Sequence, residues 1–185
     1  MALEQPSDAN QPQPAQEYAL SELVAMSRPL LRAAYGCETQ WTEDGGYPSA
    51  HEWLTKLIAS VHQELTRLDD LPAAVRFAFD DHIVVTAPMT EAVAHAWVKD
   101  VLTMFMERLQ PLSRTEPEKI ADLFKDLRAA CKEKFGLRGR EVMTAVRAAL
   151  TGTIEGPCLE VVVCLLGRRR CLERVNRYLA GMKPS

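Results

Sequence analysis

From Leu20 to Ala180 the apolar residues recur at i, i+3 and i+4 spacing, and Gly or Pro cuts each run short. No other feature constrains the fold as much. A helical period lays apolar side chains along one stripe of an α-helix, whereas a strand needs strict alternation. Leu20, Leu23, Val24, Leu30, Leu31 and Ala34 form the first stripe, with Pro29 as a candidate kink or break. Gly45, Gly46, Tyr47 and Pro48 read as a turn. Ser49 and Glu52 have capping-box spacing and open a helix with Trp53, Leu57, Val61 and Leu65 inward. Leu71 to Phe79 reads as one short helix behind Asp69 and Asp70, and His82 to Thr86 as a loop or extended linker. Thr90 opens a helix through Val93, Trp97, Val101, Met104, Phe105 and Leu109. Thr115 and Glu118 repeat the capping-box spacing ahead of Ile120, Leu123, Leu127 and Cys131, and Gly136 ends that helix.

The last third reads as three short helices. Arg138 to Thr151 is stopped by Gly152, the next is opened by Pro157 and closed by Gly167, and Arg168 to Ala180 is followed by Gly181. Helices this short predict an all-α fold, an orthogonal helix cage rather than a long coiled coil, arranged as two small helical lobes over 18–112 and 113–185. Residues 1–17, rich in Pro and Gln, lack the apolar surface to fold and read as a flexible tail or linker.

Composition enters as a set of exclusions. The longest apolar run, Val161 to Leu166, is far short of the roughly 20 residues that span a bilayer. No N-terminal basic stretch leads into an apolar one, so the expectation is a cytoplasmic protein without membrane contact. The five cysteines (Cys37, Cys131, Cys158, Cys164 and Cys171) are odd in number and never spaced C-x-x-C. With four scattered histidines they predict reduced structural thiols and no metal site. There is no phosphate-cradling glycine loop and no G-x-S-x-G elbow, and the adjacent acids Asp69, Asp70, Asp80 and Asp81 read as helix-end groups. The expectation is no catalytic residue and no cofactor.

Charge is divided unevenly. Of 22 Lys+Arg, 13 lie in residues 125–185 against 6 of the 25 Asp+Glu, so the first 124 residues are strongly acidic. A basic end suggests a polyanion partner; two solvated surfaces of opposite sign are the other reading. Arg140, Thr144, Arg147 and Thr151 fall at i, i+4, i+7 and i+11, on one helix face. Two guanidiniums and two hydroxyls suit a phosphate or a base edge, and the spacing alone equally fits an ordinary wet face. Arg170, Arg174 and Arg177, with Arg168 and Arg169, make a second basic surface near the start of the last helix. Cations there oppose the helix dipole by roughly 0.3–1 kcal/mol each, a small conflict that hints at a demand other than stability.

The run from Gly136 to Leu179 orders four short elements: R-A-A-L-T-G from Arg147, G-P-C-L from Gly156, L-L-G from Leu165 and L-E-R from Leu172. In order and spacing they resemble the C-terminal anticodon-binding region of bacterial-type glutamyl-tRNA synthetase. The segments around Leu23 to Leu31, and Trp53 through Glu64 to Leu71, extend the resemblance to about residues 20–182. It implies a two-lobed all-α structure that reads the anticodon of glutamate tRNA. Splayed bases of a single-stranded loop suit such reading, since Arg can stack on them or bond their edges. By motif match Arg147 would contact anticodon bases, and the loop carrying Gly156, Pro157 and Leu159 would touch them. The expected RNA-binding set is Arg140, Thr144, Arg147, Thr151, Gly156, Pro157, Leu159, Arg170, Arg174 and Arg177. The expected partners are tRNA with a glutamate-type anticodon loop and, as a second candidate, a synthetase catalytic subunit. The H-x-G-H-type and K-M-S-K-S-type signatures of the catalytic half are missing, so the chain is expected to have no activity alone. Were it cut from a larger protein, the parent would be glutamate-tRNA ligase. Glu64 stands where many members carry a basic residue. With the acidic first 124 residues it favours the alternative, a protein-interaction or regulatory module that kept the fold and lost RNA reading.

Overall fold

The computed structural model describes residues 15–182. Nine α-helices and no strand appear among them: α1 Leu20–Tyr35, α2 Ala50–Val61, α3 Leu71–Ala74, α4 Arg76–Phe79, α5 Ala87–Ala92, α6 Trp97–Leu109, α7 Pro117–Phe135, α8 Gly139–Leu150 and α9 Leu159–Gly181. The all-α expectation holds. None of these helices is long and apolar enough to cross a membrane. α1 packs on α2 and α3; α6 packs on α7, α8 and α9; α9 also touches α2, α4 and α7. The expected boundary at residue 112 falls between α6 and α7, which pack against each other within one continuous apolar core.

Local signals set several helix ends. Ser49 Oγ accepts from the Glu52 amide at 3.2 Å, capping α2 as its spacing predicts. Gly36 and Gly136 take the left-handed conformation that ends α1 and α7. Other ends are decided by tertiary contacts. Thr115 does not cap α7: it is fully buried, and its amide donates to Asp44 O at 3.1 Å. α1 runs unbroken through Pro29, which sits on its exposed side, and Ala34 is exposed rather than inward. The segment expected as one helix from Leu71 to Phe79 divides at Val75 into α3 and α4. The helix expected from Thr90 divides into α5 and α6 around Val93. His82 to Thr86 is irregular, as read. Ala15 is fully buried with its amide on Thr66 O, so the expected flexible segment is packed from residue 15; residues 1–14 lie outside the described ones.

The last element contains the feature on which packing turns. α9 is continuous in outline but breaks at Gly167, with φ 77° and ψ 164°. The break is where the sequence places a helix stop. Just before it, Cys164 O accepts from the Gly46 amide at 2.8 Å and Leu165 O from Trp53 Nε1 at 2.7 Å. Just after it, the Arg169 amide donates to Asp44 Oδ2 at 2.6 Å. The turn at 42–46 and the buried indole of α2 thus take up groups that a continuous helix would bond internally. A methyl group at Gly46 would lie 2.5 Å from Thr115 O and 2.7 Å from Cys164 Cβ, so only glycine lets the chain pass so close. Cys131, Cys164 and Cys171 are buried free thiols, and burial pushes Cys164 and Cys171 up to about 12.

Replacing Gly167 with Ala demands a backbone conformation that L-residues avoid and sets a methyl 2.6 Å from Thr42 Oγ1. Gly167→Ala is expected to cost about 2–4 kcal/mol in a urea unfolding series, whereas Gly181→Ala, in open space, changes stability by less than about 0.5 kcal/mol.

Candidate nucleic-acid interface

The face predicted on α8 forms, but its members have different surroundings. Arg140 is exposed, and Thr144 is half-buried with its hydroxyl donating to Arg140 O at 2.9 Å. Arg147 is half-buried. Its Nη2 donates to Pro157 O at 2.8 Å, while its buried Nη1 has no protein partner. Burial holds the Arg147 guanidinium below its ordinary pKa, opposed by the nearby Cys158 and Glu64.

The turn after α8 holds the loop against this arginine. The Thr151 hydroxyl and the amides of Thr151 and Gly152 all donate to Arg147 O, and the Thr153 hydroxyl donates to Glu155 O at 2.7 Å. Gly156 is exposed at φ 135°, and a methyl there would stand 3.4 Å from Arg147 Nη1. Pro157 is half-buried beside it; Leu159 is buried in the core, so its side chain is not offered to a ligand. Opposite, Thr86 donates its amide to Gly152 O at 2.9 Å and brings the 83–86 strap alongside. Gly152 is glycine by necessity, since a methyl would sit 2.5 Å from Val84 O.

These pieces enclose a cleft of about 360 Å³. One wall is Arg147, Thr151, Thr153, Gly156 and Pro157; the other is formed by Arg76, Phe77, Asp80, His82 and Val84. Arg76 and Asp80 are ion-paired, and Val84 is 69% exposed at the lip. The second wall was not legible in the sequence. Nothing local in the 76–84 segment tells which helix it will face.

The arginines of the last helix are placed otherwise. Arg170 is buried and donates to Ala78 O at 2.9 Å. Arg174 is 4% exposed and donates to Leu150 O at 2.7 Å and Asp80 O at 2.6 Å. Arg177 is exposed but bonds Asp81 O, Arg168 bonds Gln110 O, and Arg169 pairs with Glu173. Arg170 and Arg174 were expected on an RNA-facing surface; they instead lie inside, where they satisfy carbonyls at the ends of α4 and α8. Burial brings Arg174 down to about 10. Among the described residues no cluster of three or more His, Cys, Asp or Glu is placed to hold a metal.

A family model described as an anticodon binding domain matches residues 22–179. Glutamate-tRNA ligase 1 of Caldicellulosiruptor saccharolyticus is 27% identical over 162 residues, covering 86% of this chain and 31% of that protein. Glutamate-tRNA ligase of Lysinibacillus sphaericus is 26% identical over 160 residues, again covering 86% and 31%. The crystal structure of a glutamate tRNA ligase from Elizabethkingia meningosepticum, in complex with its amino acid, superposes with a TM-score of 0.75 at 16% identity, over 91% of this chain and 30% of the other. The chain thus spans about a third of the length of the relatives it matches, and the structural likeness shows the same fold.

Arg174→Leu removes two charge-assisted hydrogen bonds and leaves the buried Leu150 carbonyl and the part-buried Asp80 carbonyl unpaired, so it is expected to lower unfolding stability by about 3 kcal/mol or more. Arg177→Ala, at an exposed site, should cost less than about 1 kcal/mol in the same chemical denaturation measurement.

Proposed function

The chain belongs to the anticodon-binding domain family, and from that premise we propose that it binds tRNA and reads a glutamate-type anticodon loop in the cleft beside Arg147. The observation that carries the reading is the unsatisfied guanidinium. One Arg147 nitrogen is fixed by Pro157 O, and the other is held without a protein partner where the Gly156 turn leaves room. A buried donor without an acceptor costs on the order of 1–3 kcal/mol, and a base carbonyl or ring nitrogen would relieve that cost. The Thr153 hydroxyl lines the same cleft, 3.4 Å from that of buried Thr151, which is used on Arg147 O. Exposed Val84 supplies an apolar lip for a base. The names of the relatives supply the glutamate assignment. Arg140 and Thr144 continue the α8 face outward from the cleft. The chain activates no amino acid itself in this reading, because it matches only 31% of the length of the related ligase and carries no H-x-G-H-type or K-M-S-K-S-type signature.

Two measurements test the proposal. An anticodon stem-loop with a glutamate anticodon should bind more tightly than one with a scrambled loop, in a salt-dependent manner. Arg147→Ala should weaken the cognate loop by about 1–3 kcal/mol and erase the preference. Equal binding of both loops by the wild type, unaffected by Arg147→Ala, would leave the fold without the reading function. Separately, the purified chain should show no amino-acid-dependent pyrophosphate exchange above a denatured control; exchange with glutamate would refute the absence of activity.

A further inference from the structure

The basic excess of the C-terminal third is not spent where the spacing of the last helix suggests. All five arginines from Arg168 to Arg177 are engaged within the protein, and Arg170 and Arg174 are buried. The free cations lie at the corner between α7 and α8. Gly136 turns the chain with φ 68°, buried Leu137 pins the turn, and α8 begins at Gly139. Lys132 and Lys134 on the last turn of α7, and Arg138 and Arg140 at the start of α8, are all exposed. Arg128 joins them: its arm crosses the bare face of Gly139, where a methyl would stand 3.1 Å from Arg128 Cδ. Among the described residues none of these five cations takes part in a salt bridge. Of the acids nearby, Glu141 uses its carboxylate on the Arg138 amide at 2.7 Å, leaving Glu133 on the solvent side.

We propose that this α7–α8 corner is a second nucleic-acid contact, one that grips the phosphate backbone without regard to sequence. The inference rests on the RNA reading of the Arg147 cleft and adds a surface to it. Three features favour phosphate. Lys132 and Lys134 complement the dipole of α7, but Arg138 and Arg140 oppose that of α8, an arrangement folding gains nothing from and an anion would reverse. Lys132, Arg138 and Arg140 are exposed on a rigid helical corner without a carboxylate partner among the described residues, with Lys134 over the Phe135 ring and Arg128 half-buried beside them. Exposed cations of this kind suit counterion release rather than base reading. Arg140 and Arg147 share one face of α8, about 10 Å apart along its axis, so a strand leaving the cleft along that face reaches the corner. The cleft specifies and the corner positions.

The test uses the full chain, the cognate and scrambled stem-loops and a salt series read by fluorescence anisotropy. The variant is Lys132→Gln, Arg138→Gln and Arg140→Gln together, all at exposed sites, with its thermal melt checked against wild type. The expected result is about a tenfold or greater loss of affinity at low salt for both loops alike, and a salt slope shallower by about 2–3, with loop preference kept. Unchanged affinity and slope, alongside a loss of preference in Arg147→Ala, would overturn the corner and leave the cleft reading standing. A loss confined to the cognate loop would overturn it too, because the contact would then be reading bases. If wild type binds neither RNA at low salt, the cleft reading and this proposal fall together. A polyglutamate competitor supplies the last arm: if the variant loses affinity for polyglutamate but not for RNA, the corner serves an acidic protein partner and the proposal is overturned.

Discussion

The rest of the structure depends on the interruption of the last helix at Gly167. A residue at φ 77° and ψ 164° cannot continue an α-helix, and side-chain-bearing residues rarely visit that region. The interruption exposes carbonyls that the helical ladder would otherwise consume. Two of them, on Cys164 and Leu165, are taken by the Gly46 amide and the Trp53 indole, from segments more than a hundred residues earlier. Asp44 bonds the Arg169 amide on the far side, near the positive end of the second half-helix. One break thus converts local backbone groups into the fastening between the first two helices and the end of the chain. The direction it gives the second half-helix brings Arg170 and Arg174 to the ends of α4 and α8. Through Arg174 the same contact fixes both Asp80, on one wall of the cleft, and Leu150, at the end of the helix that carries the other wall.

Those buried arginines meet carbonyl oxygens rather than carboxylates. A guanidinium removed from water loses a large hydration energy, and pairing with a neutral acceptor returns less of it than an ion pair would. Desolvation accordingly dominates in Arg170 and Arg174 and lowers the pKa of both. The acceptors compensate by position. Ala78 and Asp80 lie at the C-terminal end of α4, and Leu150 ends α8, where the unpaired carbonyls and the helix dipole are most negative. The arginines of the last helix therefore act as caps for other helices. Their helical spacing, which suggests an exposed basic stripe, is the spacing needed to reach two helix ends from one direction.

The helical class and several helix stops were legible, because period and glycine placement are local: Gly136 and Gly167 act where they stand. Elements whose ends depend on distant contacts were not. Thr115 has capping spacing, yet burial against Asp44 turns it to a different use, and the 71–79 and 90–109 stretches break although their apolar periods continue. The same divide runs through the site. Spacing placed Arg140, Thr144, Arg147 and Thr151 on one face, and that face exists. Spacing cannot tell whether a face will be covered, so it treated Arg147 and Arg174 alike. The wall formed by Arg76, Asp80 and His82 belongs to segments more than sixty residues earlier and carries no local sign of its role.

Those two arginines differ in how their terminal nitrogens are used. Arg174 obeys the rule that buried polar groups find partners: both of its terminal nitrogens donate. Arg147 departs from it with Nη1, as Arg170 does with Nη2. The loop beside Arg147 is held three ways. Arg147 O collects donors from the turn, Pro157 O takes Nη2, and Gly152 is locked under the 83–86 strap by the Thr86 amide. A rigid surround that keeps one donor unsatisfied stores a cost that folding alone would remove. Gly156 adds to this by leaving the space beside Nη1 open where a side chain would approach it to 3.4 Å. That open space lies between a threonine-lined wall and the apolar lip at Val84.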